Sequence, residues 1–190
     1  MLQQFRTFPT SPSDEQLANA IKGVSYTRID NWLDTDFATA AWWGEIAITI
    51  LTLFLWWKLV DKKRLIDITL YGFLVMATSL TLDQIGYELG FWYYPVDLIP
   101  LFPPATAVDF IALPVIYSLI FQYCRHWKPF LAATLLMSTV FCFFLEPLMV
   151  KMGYYVLIKW RYYYGFPIYT VMAVVFKALL DKMKAITSAS

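Results

Sequence analysis

The sequence predicts an all-α integral membrane bundle of about five transmembrane helices, and three observations predict it. Hydrophobic residues fill 59% of the 190 positions and aromatic ones 19%, whereas charged residues reach only 15%. A soluble domain carries about 25% charge and about 45–50% apolar residues, so too little polar material remains to build a water-facing surface. The apolar residues also fall into five runs close to the ~20 residues that a bilayer crossing requires. Finally, these runs lack the polar/apolar alternation of a barrel strand and are about twice its length.

Residues 1–40 read as an extracytoplasmic tail. Ser13-Asp14-Glu15-Gln16 fits a capping box that opens a short interfacial helix through about Ile21. No basic region followed by an apolar stretch and a cleavage site marks a removable signal. Residues 41–184 form the bundle, with spans at 41–60, 65–82, 106–124, 129–149 and 164–180, and residues 185–190 read as a disordered C-terminal tail. Trp42 and Trp43 open the first span and Trp56 and Trp57 close it, the placement of aromatic belts at two interfaces.

Orientation follows from the basic residues. Lys58, Lys62, Lys63 and Arg64 flank the first turn, Arg125 and Lys128 the second, and Lys177, Lys182 and Lys184 the C-terminus. Cytoplasmic loops collect such residues, which puts the N-terminus outside and the C-terminus in the cytoplasm of a multi-pass cell-membrane protein. Lys151, Lys159 and Arg161 weigh the other way. The formal net charge of +1 offers no footprint for nucleic acid. The expected partners are the lipid bilayer and, for an accessory role, other membrane proteins or a second copy of the chain.

Acids in membrane spans are costly and generally face a cavity or a partner rather than lipid. Glu45 begins the first span, Asp83 ends the second, Asp109 begins the third and Glu146 ends the fourth, so all four fall at outer helix ends. Glu45 and Asp109 are separated by nearly the same length of chain as Asp83 and Glu146, as if two hairpins repeated. The connection from Asp83 to Pro95, followed by Pro100, Pro103 and Pro104, is aromatic and interrupted by Glu88, Gly86 and Gly90. It reads as a re-entrant or interfacial lid between the second and third spans, roofing the acids with Trp92 and Tyr93. The predicted ligand-binding set is therefore Glu45, Asp83, Glu88, Trp92, Tyr93, Asp109 and Glu146. Each acid could instead cap its own helix or pair with Lys151, Lys159 or Arg161. Like charges held close in a low dielectric cannot all be ionised, so protons or bases must balance them.

The segment Asp83…Gly86…Gly90-x-Trp92-x-Tyr94, Asp109 with Pro114, Gln122-Tyr123 and Phe144-x-Glu146-Pro147 resembles an uncharacterised family of small multi-spanning membrane proteins from spore-forming Gram-positive bacteria. The resemblance covers most of the chain from Trp42 onward and implies the multi-spanning fold without an activity. A weaker likeness is to membrane-embedded lycopene cyclase-type carotenoid enzymes, whose Pro-x-Glu-Glu arrangement is replaced here by Glu146-Pro147.

Three functions fit these residues. The first is a pocket that binds or passes a small polar or cationic solute. The second is a membrane enzyme acting on a lipid or isoprenoid, with Asp83 and Glu146 as the acid–base pair. The third is an accessory subunit of a larger membrane complex. No phosphate loop, nucleophile elbow or His-Glu-x-x-His motif is present, which weighs against most enzyme classes. One histidine, His126, and two well-separated cysteines, Cys124 and Cys142, suggest neither a metal site nor a cofactor.

Overall fold

The computed structural model describes residues 11–101 and 106–189. The first ten residues of the tail, Pro103 and Pro104 of the expected lid, and Ser190 lie outside them. The described residues form helices α1 (Pro12–Asn31), α2 (Ala40–Leu59), α3 (Leu65–Glu88), α4 (Leu113–Tyr123), α5 (Trp127–Val140), α6 (Glu146–Lys151) and α7 (Tyr162–Ala189). Two short strands, β1 (Trp92–Tyr93) and β2 (Val156–Leu157), pair antiparallel, with Trp92 opposite Leu157 and Tyr93 opposite Val156.

Helix α1 starts earlier and runs further than expected. Its capping box is Ser11 with Asp14: the Ser11 hydroxyl accepts from the Asp14 amide at 3.2 Å, and the Asp14 carboxylate accepts from the Ser11 amide at 2.7 Å. Pro12 then occupies the first helical position, where its fixed φ and missing N–H carry no cost. The helix passes Ile21 and reaches Asn31, and a π-helical turn, Trp32–Asp36, leads toward α2.

Four helical stretches, Ala40–Leu59, Lys62–Glu88, Trp127–Lys151 and Tyr162–Ser188, are long and apolar enough to cross a membrane. The third predicted run is also helical but shorter. Val108–Tyr123 rises about 24 Å at 1.5 Å per residue, against a hydrocarbon core of about 30 Å.

Two prolines are absorbed by local widening of the helix. A π-helical segment, Thr106–Ala112, precedes Leu113-Pro114, and another, Phe141–Leu145, precedes Glu146-Pro147. Proline donates no hydrogen bond and its ring crowds the carbonyl four residues back, so a wider turn relieves both problems. Glu146-Pro147 therefore lies within the Trp127–Lys151 stretch instead of ending it. Both π segments abut acids: Asp109 lies inside the first and Glu146 directly after the second.

Long apolar helices are held together by close packing and by interhelical hydrogen bonds. The core follows that rule. Tyr71 of α3 stacks on Phe121 of α4 with centroids 4.4 Å apart and donates to the Ala173 carbonyl of α7 at 3.1 Å. Tyr117 and Ser138 share a hydrogen bond of 3.1 Å between α4 and α5, and Ser79 donates to the Asp109 carbonyl at 3.1 Å. Helix α2 buries no residue. It is tied to α4 by the Trp56 indole N–H on Ser118, 3.0 Å, and by the Gln122 side-chain amide donating to the Leu59 carbonyl, 2.9 Å.

The end carrying the basic turns is closed by ion pairs. Asp67 pairs with Lys184 of α7 at 2.7 Å. Lys177 is only 3% exposed; it pairs with Asp181 at 3.2 Å and donates to the Arg125 carbonyl at 3.1 Å. The rings of Phe121, Trp127 and Phe130 surround its ammonium at 5.2–5.3 Å. Helix α7 continues to Ala189, so residues 185–189 are helical, not a disordered tail. The helix pattern of this last span persists because nothing after Pro167 interrupts it.

At the opposite end, α3 extends beyond the predicted boundary at Leu82 to Glu88, so the first half of the expected lid is helix. Gly90 then turns the chain at φ +65°, a left-handed backbone that glycine adopts without strain. The ribbon follows. The Phe91 carbonyl accepts from the amides of Ile158 and Lys159, both at 2.9 Å, which fastens the connection to the segment before α7.

Candidate functional site

A cavity of about 400 Å³ lies beneath this ribbon. It is enclosed by the C-terminal half of α3, the π segment leading into α4, the α5–α6 junction and the first turns of α7. Asp83, Asp109 and Glu146 all line it. Asp83 reaches the cavity because α3 stays helical past it, Asp109 lies inside the first π segment and Glu146 directly follows the second.

Asp83 is held on one side only. Its Oδ1 accepts from the Trp92 indole N–H at 2.9 Å and from the Tyr94 hydroxyl at 2.7 Å. Its Oδ2 is buried and has no hydrogen-bond partner. Glu146 repeats the arrangement: the Tyr169 hydroxyl lies 3.4 Å from Oε1, and Oε2 is buried without a partner. Asp109, 7% exposed, sits within electrostatic reach of both. Lys151, Lys159 and Arg161, the bases expected to balance these acids, do not line the cavity, and no other Lys, Arg or His does among the described residues.

The aromatic frame depends on two close approaches. A Cβ on Gly86 would overlap the six-membered ring of Trp92, so the indole packs directly against bare α3 backbone. A Cβ on Gly165 would stand 3.0 Å from the Cys142 sulfur and 3.2 Å from Glu146 Oε1, so glycine there lets α7 approach the acid without crowding it. Trp92 meets Trp160 edge-on at 4.7 Å, and Tyr94 stacks on Tyr155 at 5.1 Å. Burial, reinforced by the charges of Asp83 and Asp109, drives the Tyr94 phenol well above its ordinary range. Burial followed by Glu146, Asp83 and Asp109 does the same to Tyr155. Both phenols therefore remain hydrogen-bond donors at physiological pH.

Of the seven residues predicted from sequence, the structure brings Asp83, Trp92, Asp109 and Glu146 together and leaves three elsewhere. Tyr93 is exposed, because neighbours on a strand face opposite ways. Glu88 is also exposed and accepts from Gln84 at 2.8 Å on the outer face of α3. Glu45 lies on α2, outside the cavity, and its neighbours are Asp36 and Asp97. Sequence reasoning missed Tyr94, Tyr155, Trp160 and Tyr169. The strand period could have supplied Tyr94, two residues after Trp92; nothing in the local sequence pattern marked Tyr155, Trp160 or Tyr169.

Glu45 belongs to a second polar cluster that joins α1 to the lid. The Asp97 amide donates to Asp36 Oδ2 at 3.1 Å, and Arg28 reaches Asp97 at 3.6 Å. The Trp32 and Trp42 indoles donate to the carbonyls of Asp97 and Leu98 at 2.8 and 3.0 Å. Burial raises the Asp97 carboxyl to about 6, with Arg28 opposing that rise and Asp36 adding to it. This cluster has its own base, unlike the cavity.

The cavity joins mostly apolar walls to three carboxyls, two of which keep a buried oxygen without a hydrogen-bond donor. Such a site can bind a cation or a donor-bearing molecule, or move protons between carboxyls. Among the described residues, no group of three or more His, Cys, Asp or Glu is placed to hold a metal ion. The chain matches no protein-family model, no curated protein and no solved structure.

Proposed function

We propose that the chain is a multi-pass membrane protein, with the ribbon end toward the outer face. Its acidic and aromatic cavity binds a small solute bearing a positive or hydrogen-donating group. One observation carries this reading: Asp83 and Glu146 come from different helices and line the same cavity, and each keeps one buried oxygen, Asp83 Oδ2 and Glu146 Oε2, without a partner. An unmatched buried acceptor costs about 1–3 kcal/mol, and a ligand that supplies the missing donors recovers it. The cavity volume lies within the roughly 300–1,000 Å³ usual for small-molecule pockets. Ion pairs and packed rings close the bundle below, which supports binding from one side over passage through it.

Native mass spectrometry of the gently solubilised protein tests this. The expected result is a low-mass ligand at one per chain, lost from the Asp83→Asn/Glu146→Gln double variant. A ligand retained by that folded variant would contradict the assignment of the site. The mostly apolar, aromatic wall also favours a second reading, an enzyme acting on a lipid or isoprenoid with Asp83 and Glu146 as the acid–base pair. A co-purifying isoprenoid would move the balance to that reading.

A further inference from the structure

The same cavity constrains the class of its ligand, an inference that rests on the binding function proposed above. We propose that the ligand is a hydrophobic amine, a primary or secondary ammonium group on an apolar body that fits within about 400 Å³.

The head group follows from the carboxyls. Each of the two paired acids has one oxygen facing aromatic hydroxyl or indole donors and one oxygen left over. The leftover oxygens need N–H or O–H donors, which a quaternary ammonium lacks. With three carboxyls and no basic side chain in the wall, a positive donor is favoured over a neutral hydroxyl. The rings of Trp92, Trp160 and Tyr155 also line the cavity, and aromatic rings attract organic cations. A bare metal ion fits poorly, because the three acids share the cavity but are not drawn into a coordinating group.

The body follows from the remaining wall. Leu82, Ile116, Leu145, Leu148, Ile168 and Met172 also line the cavity. They would not solvate a strongly polar solute such as a polyamine or an amino acid. An aminolipid also carries a primary ammonium, but its phosphate would sit beside three carboxyls and its two chains exceed the available volume. A free amine fits both constraints.

The test uses the full chain in phosphatidylcholine nanodiscs, titrated calorimetrically with 4-phenylbutylamine, its trimethylammonium analogue and 4-phenylbutanol. The expected result is saturable binding of one amine per chain, at least tenfold tighter than either analogue. Asp83→Asn or Glu146→Gln should weaken it at least tenfold, and Glu88→Gln, outside the cavity, should leave it unchanged. Repeating the titration with phosphatidylethanolamine in the disc separates the sources. Unchanged affinity supports a free amine, whereas competition supports the same ammonium chemistry supplied by a lipid. Saturable binding of the alcohol or the quaternary analogue as tight as the amine would overturn the ligand class while leaving a binding cavity. Failure of all three probes would overturn the class and count against the binding reading as well. The ranking on the unaltered protein decides the matter even if a variant misfolds.

Discussion

The indole of Trp92 occupies the space in which any residue but glycine at position 86 would place its side chain. That contact lets the indole N–H reach Asp83, three residues earlier on the same helix, at 2.9 Å. Gly86→Ala should therefore displace the ring and release Asp83 together. The expected cost is about 1–3 kcal/mol, the usual range for overpacking, read as a lower thermal midpoint with a red-shifted tryptophan emission. Gly90→Ala forces a side chain into left-handed backbone with open space around it. It should cost about 1–2 kcal/mol without the spectral shift.

Trp92 and Tyr94 donate to the same oxygen of Asp83. Trp92→Phe or Tyr94→Phe should each destabilise the fold by about 1–3 kcal/mol. The double variant should lose more than the sum, because the second deletion removes the last donor the structure provides to that oxygen. A double-mutant cycle on thermal unfolding reads this coupling. Simple additivity would mean the two donors act independently.

Lys177 links the far end of the bundle through Asp181, the Arg125 carbonyl and three aromatic rings. Lys177→Met keeps most of the volume but leaves the Arg125 carbonyl without its lysine donor. A loss of about 1–3 kcal/mol is expected, with ligand affinity unchanged because the residue is remote from the cavity. Denaturant titration and ligand binding on the same sample check both halves.

Asp97 gives the α1–lid junction a pH dependence. Its carboxyl is raised to about 6 from the ordinary 3.8, chiefly by burial. Between those values the folded chain holds a proton that the unfolded chain has released, so this group favours folding at low pH. Its contribution falls as pH rises toward 6 and is then constant. Asp97→Asn should flatten the thermal midpoint between pH 4 and 6 relative to the unaltered protein. Arg28→Gln removes the cation opposing the rise and should extend the sloping region above pH 6.

Much of the bundle was legible because long apolar runs leave few alternatives, and the helical segments fall where those runs lie. The acids stood out for the same reason: charge is rare in such runs, so Asp83, Asp109 and Glu146 marked the cavity. Glu45 shared their depth in the sequence pattern but not their direction. Depth can be read from distance to a helix end, whereas the face a helix presents depends on its neighbours, and α2 packs at the edge of the bundle. The ribbon was illegible because its second strand, Val156–Leu157, lies more than sixty residues from the first. Without that pairing, the alternation that points Trp92 inward and Tyr93 outward had no frame. The extension of α3 to Glu88 was missed because Asp83 and Gly86 resemble helix-ending residues, although here one binds the lid and the other receives its indole.

The most direct measurement is labelling with a hydrophobic carbodiimide, read by peptide mass spectrometry on the folded protein. If Asp83, Asp109 and Glu146 share one chamber of about 400 Å³, a bulky adduct on any one should block the other two. Each chain should then carry at most one adduct across the three positions, while Glu45 reacts or not independently of them. Chains labelled at two or three of these positions at once would contradict a shared chamber and return each acid to its own helix.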